Sequence, residues 1–335
     1  MQKKIIALAI VAAFAAPVAM ADTANVNVYG SIDGGMRSDT AGGVTSNQFG
    51  SGTFNSNRFG FKGSEDLGDG MKATFTLEGG FNSGTGNAAA NTTLFDRTST
   101  VGVAGGFGAV ELGRQQTVAY KTIGTFDPFN YKFINIALAG NASTKRYDND
   151  ISYTGKFGDV TVMAEHNIPT TGDDSQAATA AGVTFASGPI NFGLSYTATK
   201  APVTNNNQDA RHIAIGGGFN FGDGKVSIGY TKNEVKPTNA NVANTNTIAT
   251  NMWIGASYNV STKIGVTAAY YKLTNTASVT PPTAAVDVTT ARMMVAATYA
   301  LSKRTNFYAE IDRTTIDTSP STASNGYSLG LATTF

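Results

Sequence analysis

From residue 25 to its last residue the chain is written in extended segments whose apolar side chains recur at every second position, the period of a strand with two unlike faces. "NVNVYGSIDGGMR" sets Val26, Val28, Ile32 and Met36 against Asn27, Ser31, Asp33 and Arg37, and "KATFTLEGGF" sets Phe75, Leu77 and Phe81 against Lys72, Thr74, Thr76 and Glu78. "KVSIGYT" and "MWIGASYNV" repeat the pattern late in the chain, and "GYSLGLATTF" carries it to the end with Tyr327, Leu329, Leu331 and Phe335. Chain termini are usually polar and frayed, so an apolar face that continues to the final residue needs an apolar surrounding.

The breaks between segments are of two kinds that take turns. Short connectors occupy 66–70, 105–108, 155–159, 186–189, 221–224, 259–263 and 301–304. Long ones, rich in Asn, Thr, Gly and Pro, occupy 38–53, 83–92, 117–145, 168–177, 200–209, 235–247, 274–287 and 317–324. Seven short and eight long connectors separate sixteen strands. A soluble sandwich also alternates, but its turns are not sorted by length to opposite ends. Short turns on one side, long loops on the other and an even strand count are the pattern of an antiparallel barrel in an outer membrane. Closure lets every backbone N–H and C=O pair inside hydrocarbon, where an unpaired group costs several kcal/mol. The expected fold is therefore all-β, a transmembrane 16-stranded antiparallel barrel crossing the membrane many times, with the final strand closing on the first.

The N-terminus reads differently. "MQKKIIALAIVAAFAAPVAMA" has Lys3 and Lys4, an apolar stretch broken by Pro17, and the small-any-small order Ala19, Met20, Ala21, which together describe a cleaved export signal. Residues 1–21 are expected to be removed, leaving 22–335 as one barrel domain. The exported chain holds no cysteine, so no disulfide framework supports it. Charged residues make up 14% of the chain, well below the roughly 25% usual in soluble domains. Basic and acidic residues nearly cancel, 24 against 23, which gives no footing for nucleic-acid binding.

Where a strand alternates, energy decides which face is which, because an Arg or Lys pointed at lipid near the midplane costs roughly 2–4 kcal/mol. Arg58 and Lys62 oppose Phe59 and Phe61, and Arg146, Asp148, Asp150 and Ser152 alternate with Tyr147, Ile151 and Tyr153. These polar faces are expected to line a lumen, with Arg97, in a poorly alternating stretch, placed beside them by its neighbours. Sixteen strands leave an aqueous channel unless something fills it. The longest connector, 117–145, contains "FINIALAG", too apolar for a free external loop, so it is expected to fold inward and narrow the pore. It brings Lys121, Lys132 and Lys145 against Asp127 alone, opposite a wall offering Arg58, Lys62, Arg97 and Arg146. Basic rings at a constriction favour anions, and anion preference is the expectation. The opposing possibility is that Asp33, Glu78, Asp148 and Asp150 neutralise the wall.

Enzymatic chemistry finds no support. The two histidines, His166 and His212, lie far apart with no metal-ligand spacing, and no Gly-any-Ser-any-Gly nucleophile turn occurs. No cofactor is expected. A channel specific for one solute, with Tyr120, Phe126, Phe129, Tyr131 and Phe133 as an aromatic track, is the alternative reading of the inward segment.

Taken together, "VYGSIDGG" (28–35), "RFGFKGSEDLGDGMKATFTLEGGF" (58–81), "RTSTVGVAGGFGAVELGRQ" (97–115), "RYDNDISYTGKFG" (146–158), "LSKRTNFYAEID" (301–312) and the terminal "GLATTF" make the chain resemble a general porin of the Gram-negative outer membrane, most similar to the trimeric porins of β-proteobacteria. The resemblance implies a homotrimer embedded among outer-membrane lipid and lipopolysaccharide, with an inward third loop. It implies passive diffusion of small hydrophilic solutes and anions, with Arg58, Arg97 and Arg146 at the eyelet. It also implies that Tyr327, Leu329, Leu331 and Phe335 form the signal read by the barrel-assembly machinery. Porins of this kind often carry more than one acid on the inward loop, whereas this chain has Asp127 alone.

Overall fold

A computed structural model describes residues 25–89, 93–133, 144–169, 177–200, 208–237, 246–278, 286–317 and 322–335. The export-signal segment, 1–21, and most of "FINIALAG" lie outside these residues.

Alternation is honoured strand by strand. In β11 (Gln208–Phe221) Ile213 and Ile215 are exposed outward while His212 and Ala214 are buried inside. The same division holds in β1 (Asn25–Ala41), where Met36 is 70% exposed and Asp33 is fully buried. A continuous outer band of exposed Val, Ile, Leu, Met and aromatic side chains follows, which only a lipid surrounding satisfies. No described helix is long and apolar enough to cross a membrane; the strands do so.

From β4 onward successive strands pair antiparallel, through β4 (Met71–Gly80), β5 (Thr98–Gly105), β6 (Gly108–Gln116), β7 (Arg146–Phe157), β8 (Val160–Asn167), β9 (Ala178–Ser187) and β10 (Ile190–Thr199). The series continues with β12 (Gly224–Pro237), β13 (Asn246–Asn259), β14 (Ile264–Ser278), β15 (Val286–Ala300), β16 (Thr305–Asp317) and β17 (Thr322–Thr334). β17 then returns to β1, from Ser31↔Thr334 to Ala41↔Ser324. Past that register Gly30 and Phe335 exchange two backbone hydrogen bonds of 3.1 Å each. The barrel is closed, and its terminal strand has the partner that the sequence demanded.

Seventeen strand segments form sixteen staves. β2 (Val44–Ser51) pairs with the upper part of β1 and β3 (Arg58–Gly68) with the lower part, so the two are halves of one stave interrupted at 52–57. The stretch 38–53, expected as a long loop, is instead a strand extension. Gly42 and Gly43 turn the hairpin with φ of +56° and +79°, the left-handed pair that a tight two-residue turn requires. At the interruption, Asp33 accepts the backbone N–H groups of Phe54 and Asn55 at 2.6 Å each, pulling that segment into the lumen.

A second irregularity affects the site. Between Gly113 and Gln115 of β6 the register with β7 shifts, so that Asp148 and Asn149 together face Arg114. Asn149 takes φ of +51°, and the residue pair forms a bulge. The simple alternation expected from Arg146 to Ser152 therefore breaks at the bulge. Asp150 and Ser152 are buried inside, while Asp148 is exposed and paired with Arg114 at 2.6 Å.

Candidate pore constriction

The inward segment begins at α1 (Val118–Gly124), a two-turn helix capped by Thr117, whose Oγ1 accepts the Tyr120 N–H. Glu165 on β8 accepts the Val118 N–H at 2.8 Å, fixing the helix start against the wall from which it departs. Val118, Ala119, Thr122 and Ile123 turn toward β8–β11 and are buried, giving the apolar face a surface to cover.

Past the helix the chain continues along the same inner wall, from β10 and β11 on to β13. Phe126 is fully buried, stacked on Trp253 with ring centroids 5.8 Å apart, and Trp253 donates its indole N–H to the Phe126 carbonyl at 3.2 Å. The wall is hollowed to receive the ring: a Cβ on Gly193 would sit 2.9 Å from Phe126, and one on Gly216 would collide with it outright. Lys225 of β12 donates to the Thr125 carbonyl at 3.0 Å. Farther on, Phe133 packs edge-on to Phe54 and Tyr308. Each aromatic so buried contributes roughly 1.5–3 kcal/mol, enough to hold the segment across the pore.

Asp127 is the main departure from what the sequence suggests. It is 1% exposed and does not face the opening. Its Oδ1 accepts the Tyr271 hydroxyl at 2.8 Å and its Oδ2 accepts the Tyr131 N–H at 2.7 Å. Burial pushes its pKa up to about 6, against the smaller lowering effects of these two donors. The acid is an anchor between loop and wall. Its apolar flanks Phe126, Pro128 and Phe129 are the one sequence signal from which its burial could have been found.

The remaining opening has a volume of about 700 Å³. Arg58, Arg97, Lys121 and Lys132 reach it as cations, and among the described residues lining it Glu78 is the one acidic side chain. Arg97 stands just before β5; its Nε donates to Glu78 Oε1 at 2.6 Å, and Arg58 Nε lies 3.5 Å from Glu78 Oε2. Tyr29 donates its hydroxyl to the same carboxylate at 3.1 Å. Arg146 stands behind, its Nε donating to the Arg97 carbonyl; the bulge in β7 sets that position. Lys132 Nζ lies 4.5 Å above the Phe54 ring, and burial followed by the Arg58 charge lowers its pKa. Lys62 lies apart from the opening, farther along β3 toward the short turn, 5.3 Å over the Tyr29 ring.

Of the four acids that could have neutralised this wall, Glu78 pairs with Arg97 and Arg58 at the wall itself, Asp150 is buried on β7, and the other two are engaged elsewhere. Asp33 holds the Phe54 segment and accepts the Tyr308 hydroxyl, and Asp148 pairs with Arg114. On the adjoining wall, from β1 to β16 and β15, Arg37 and Arg292 form their own buried cluster with Glu310 and Asp312, at 2.7–3.0 Å. Tyr327, Leu329, Leu331 and Phe335 all project outward and are exposed, and the Phe335 ring lies over Gly30.

A closed barrel with a lipid-facing outer band and a water-accessible interior narrowed by its own loop is a diffusion channel of the outer-membrane type. The description "Gram-negative porin" fits residues 7–319 at the level of a family sequence model. An outer membrane porin protein of Bordetella pertussis is 35% identical over 272 residues, covering 69% of both chains. Outer membrane porin protein 32 of Delftia acidovorans is 31% identical, covering 68% of both. Among solved structures, an anion-selective porin from Comamonas acidovorans superposes with a TM-score of 0.80 at 22% identity, over 93% of this chain and 100% of that one. OmpT of Vibrio cholerae, in its loop L8 deletion form, gives 0.76 at 17% over 94% and 100%; at these identities the likeness is one of fold. The chain belongs to the Gram-negative porin family and is a multi-pass outer-membrane protein forming a channel for passive diffusion.

Proposed function

We propose that this channel prefers anions, and that Arg58, Arg97, Lys121 and Lys132, backed by Arg146, form the selective wall. The single observation that carries the reading is the charge lining the opening: four cations against Glu78, with Asp127 withdrawn into a buried contact. A passing anion is attracted by this wall and a cation repelled. The Comamonas acidovorans porin of the same fold, which is anion-selective, agrees with this. The chain is further inferred to act as a homotrimer, matured by loss of residues 1–21, with Phe335 and its outward neighbours Tyr327, Leu329 and Leu331 engaging the assembly machinery. Lipopolysaccharide and membrane lipid would surround it.

Reconstitution in a planar bilayer under a KCl gradient tests the reading. The expected reversal potential has the sign of chloride preference, and conductance rises in triplet steps. Potassium preference with Arg58, Arg97 and Lys132 intact would overturn the selectivity assignment, and single unitary steps would overturn the trimer.

A further inference from the structure

Beneath the inward loop lies a second, smaller cavity of about 190 Å³. Lys132 and Asn130 line both it and the opening above. On its other side it shares Asn259, Gly265, Thr298 and Asn306 with a space of about 520 Å³ bounded by the short turns at 221–224, 259–263 and 301–304. A solute leaving the constriction toward the short-turn side therefore meets this cavity next.

Its lining is chemically unlike the wall above. Phe129 and Phe133 of the loop form one side, and Phe54 joins them. The barrel side is made of β13–β16 positions that face inward, Thr267, Thr298, Asn259 and Asn306. These are uncharged hydrogen-bonding groups. Lys132 is the one charged side chain among the described lining residues, and it stands at the junction with the constriction. A purely electrostatic funnel has no use for amides and hydroxyls opposite aromatic rings. Aromatic area with a few convergent polar groups is how small-molecule sites are composed.

We propose that this cavity is a binding subsite for a single-ring polyol carrying one anionic group. The anion is held at Lys132, the hydroxyls by Asn259, Asn306 and Thr298, and the apolar ring face by Phe129 and Phe133. The cavity volume is about six times the share of one liquid water, ~30 Å³, so the subsite grips one ring or part of it and opens toward the larger space for the rest. The inference rests on the lumen being an open channel, and it makes the protein retain one class of the anions it passes.

Current block in planar bilayers tests this on the intact channel, with glucuronate as probe and acetate and glucose as comparators. Acetate has the charge without the hydroxyls, and glucose the hydroxyls without the charge. The expected half-blocking concentration for glucuronate is on the order of tenfold below that of either comparator, lower from the short-turn side than from the long-loop side. Thr298→Val with Asn306→Ala should raise it by about fivefold or more toward the acetate value, measured relative to each variant's own unblocked conductance. Equal block by glucuronate and acetate in the unaltered protein, or an unchanged glucuronate value in the double variant, overturns the subsite. Neither result touches the KCl reversal potential, which alone decides the anion preference.

Discussion

Replacing Glu78 by glutamine removes the one acidic side chain among the described residues lining the constriction while keeping an oxygen that can accept the Arg97 Nε–H, so the change is one of charge. Treating the opening of about 700 Å³ as a sphere puts a central ion roughly 5.5 Å from the wall, where a unit charge in water is worth about 0.75 kcal/mol. At 0.1 M salt, with a Debye length of about 10 Å, screening reduces this to about 0.4 kcal/mol. The change helps an anion and hinders a cation equally, so the chloride-to-potassium permeability ratio should rise about fourfold. At 1 M salt the Debye length of about 3 Å leaves a shift of only about 1.5-fold. Reversal potentials of Glu78→Gln in KCl gradients centred on the two salt levels measure both numbers. A ratio that stays within about 1.5-fold of the parent at 0.1 M, in a channel of normal unitary conductance, would refute the view that Glu78 and its guanidinium neighbours set the field at the eyelet.

Three further outcomes follow from the loop and the termini. The carboxyl of Asp127 titrates near 6 when buried and at its ordinary value of 3.8 when exposed. The docked loop thus binds the proton more tightly than the free loop, and docking weakens as pH rises between about 4 and 6, by about 3 kcal/mol in all; protease resistance of residues 125–133 should fall across that window in the parent and stay level in Asp127→Asn. Gly216→Val fills the hollow that receives Phe126 and should cost the docked loop about 1–3 kcal/mol, seen as faster loop cleavage and noisier single-channel current while barrel heat resistance is retained. N-terminal sequencing of protein taken from the outer membrane should begin at Asp22; retention of Met1 would contradict removal of the leader.

The barrel could be read from the sequence because lipid imposes one rule on every strand: apolar outward at period two, as Val26, Val28 and Met36 show. Connector lengths then fixed which side each turn lies on. Local departures were less legible. Gly42 and Gly43 announce a tight turn, but the residues after them, "VTSNQFGS", are too polar to be told from a loop without β1 alongside. The bulge at Asp148 and Asn149 leaves no mark in the alternation, since an inserted residue is visible only against the partner strand. At the site, the cations were legible as inward positions, whereas the role of Asp127 was not. Nothing in its neighbourhood along the chain reveals Tyr271, a residue 144 positions away that donates to it. Glu78 alternated inward with Thr76, yet its grip on Arg97 depends on which strands lie side by side.

The seam between the first and last strands has a consequence in time. Ser31 pairs with Thr334, and Gly30 with Phe335, so the seam joins segments 303 residues apart in sequence. Until β17 has been made, the leading strand has a bare flank of amides and carbonyls able to template on any passing neighbour, and sealing so distant a pair is intrinsically slow. A nascent chain of this design is therefore sticky along that flank until the seam closes.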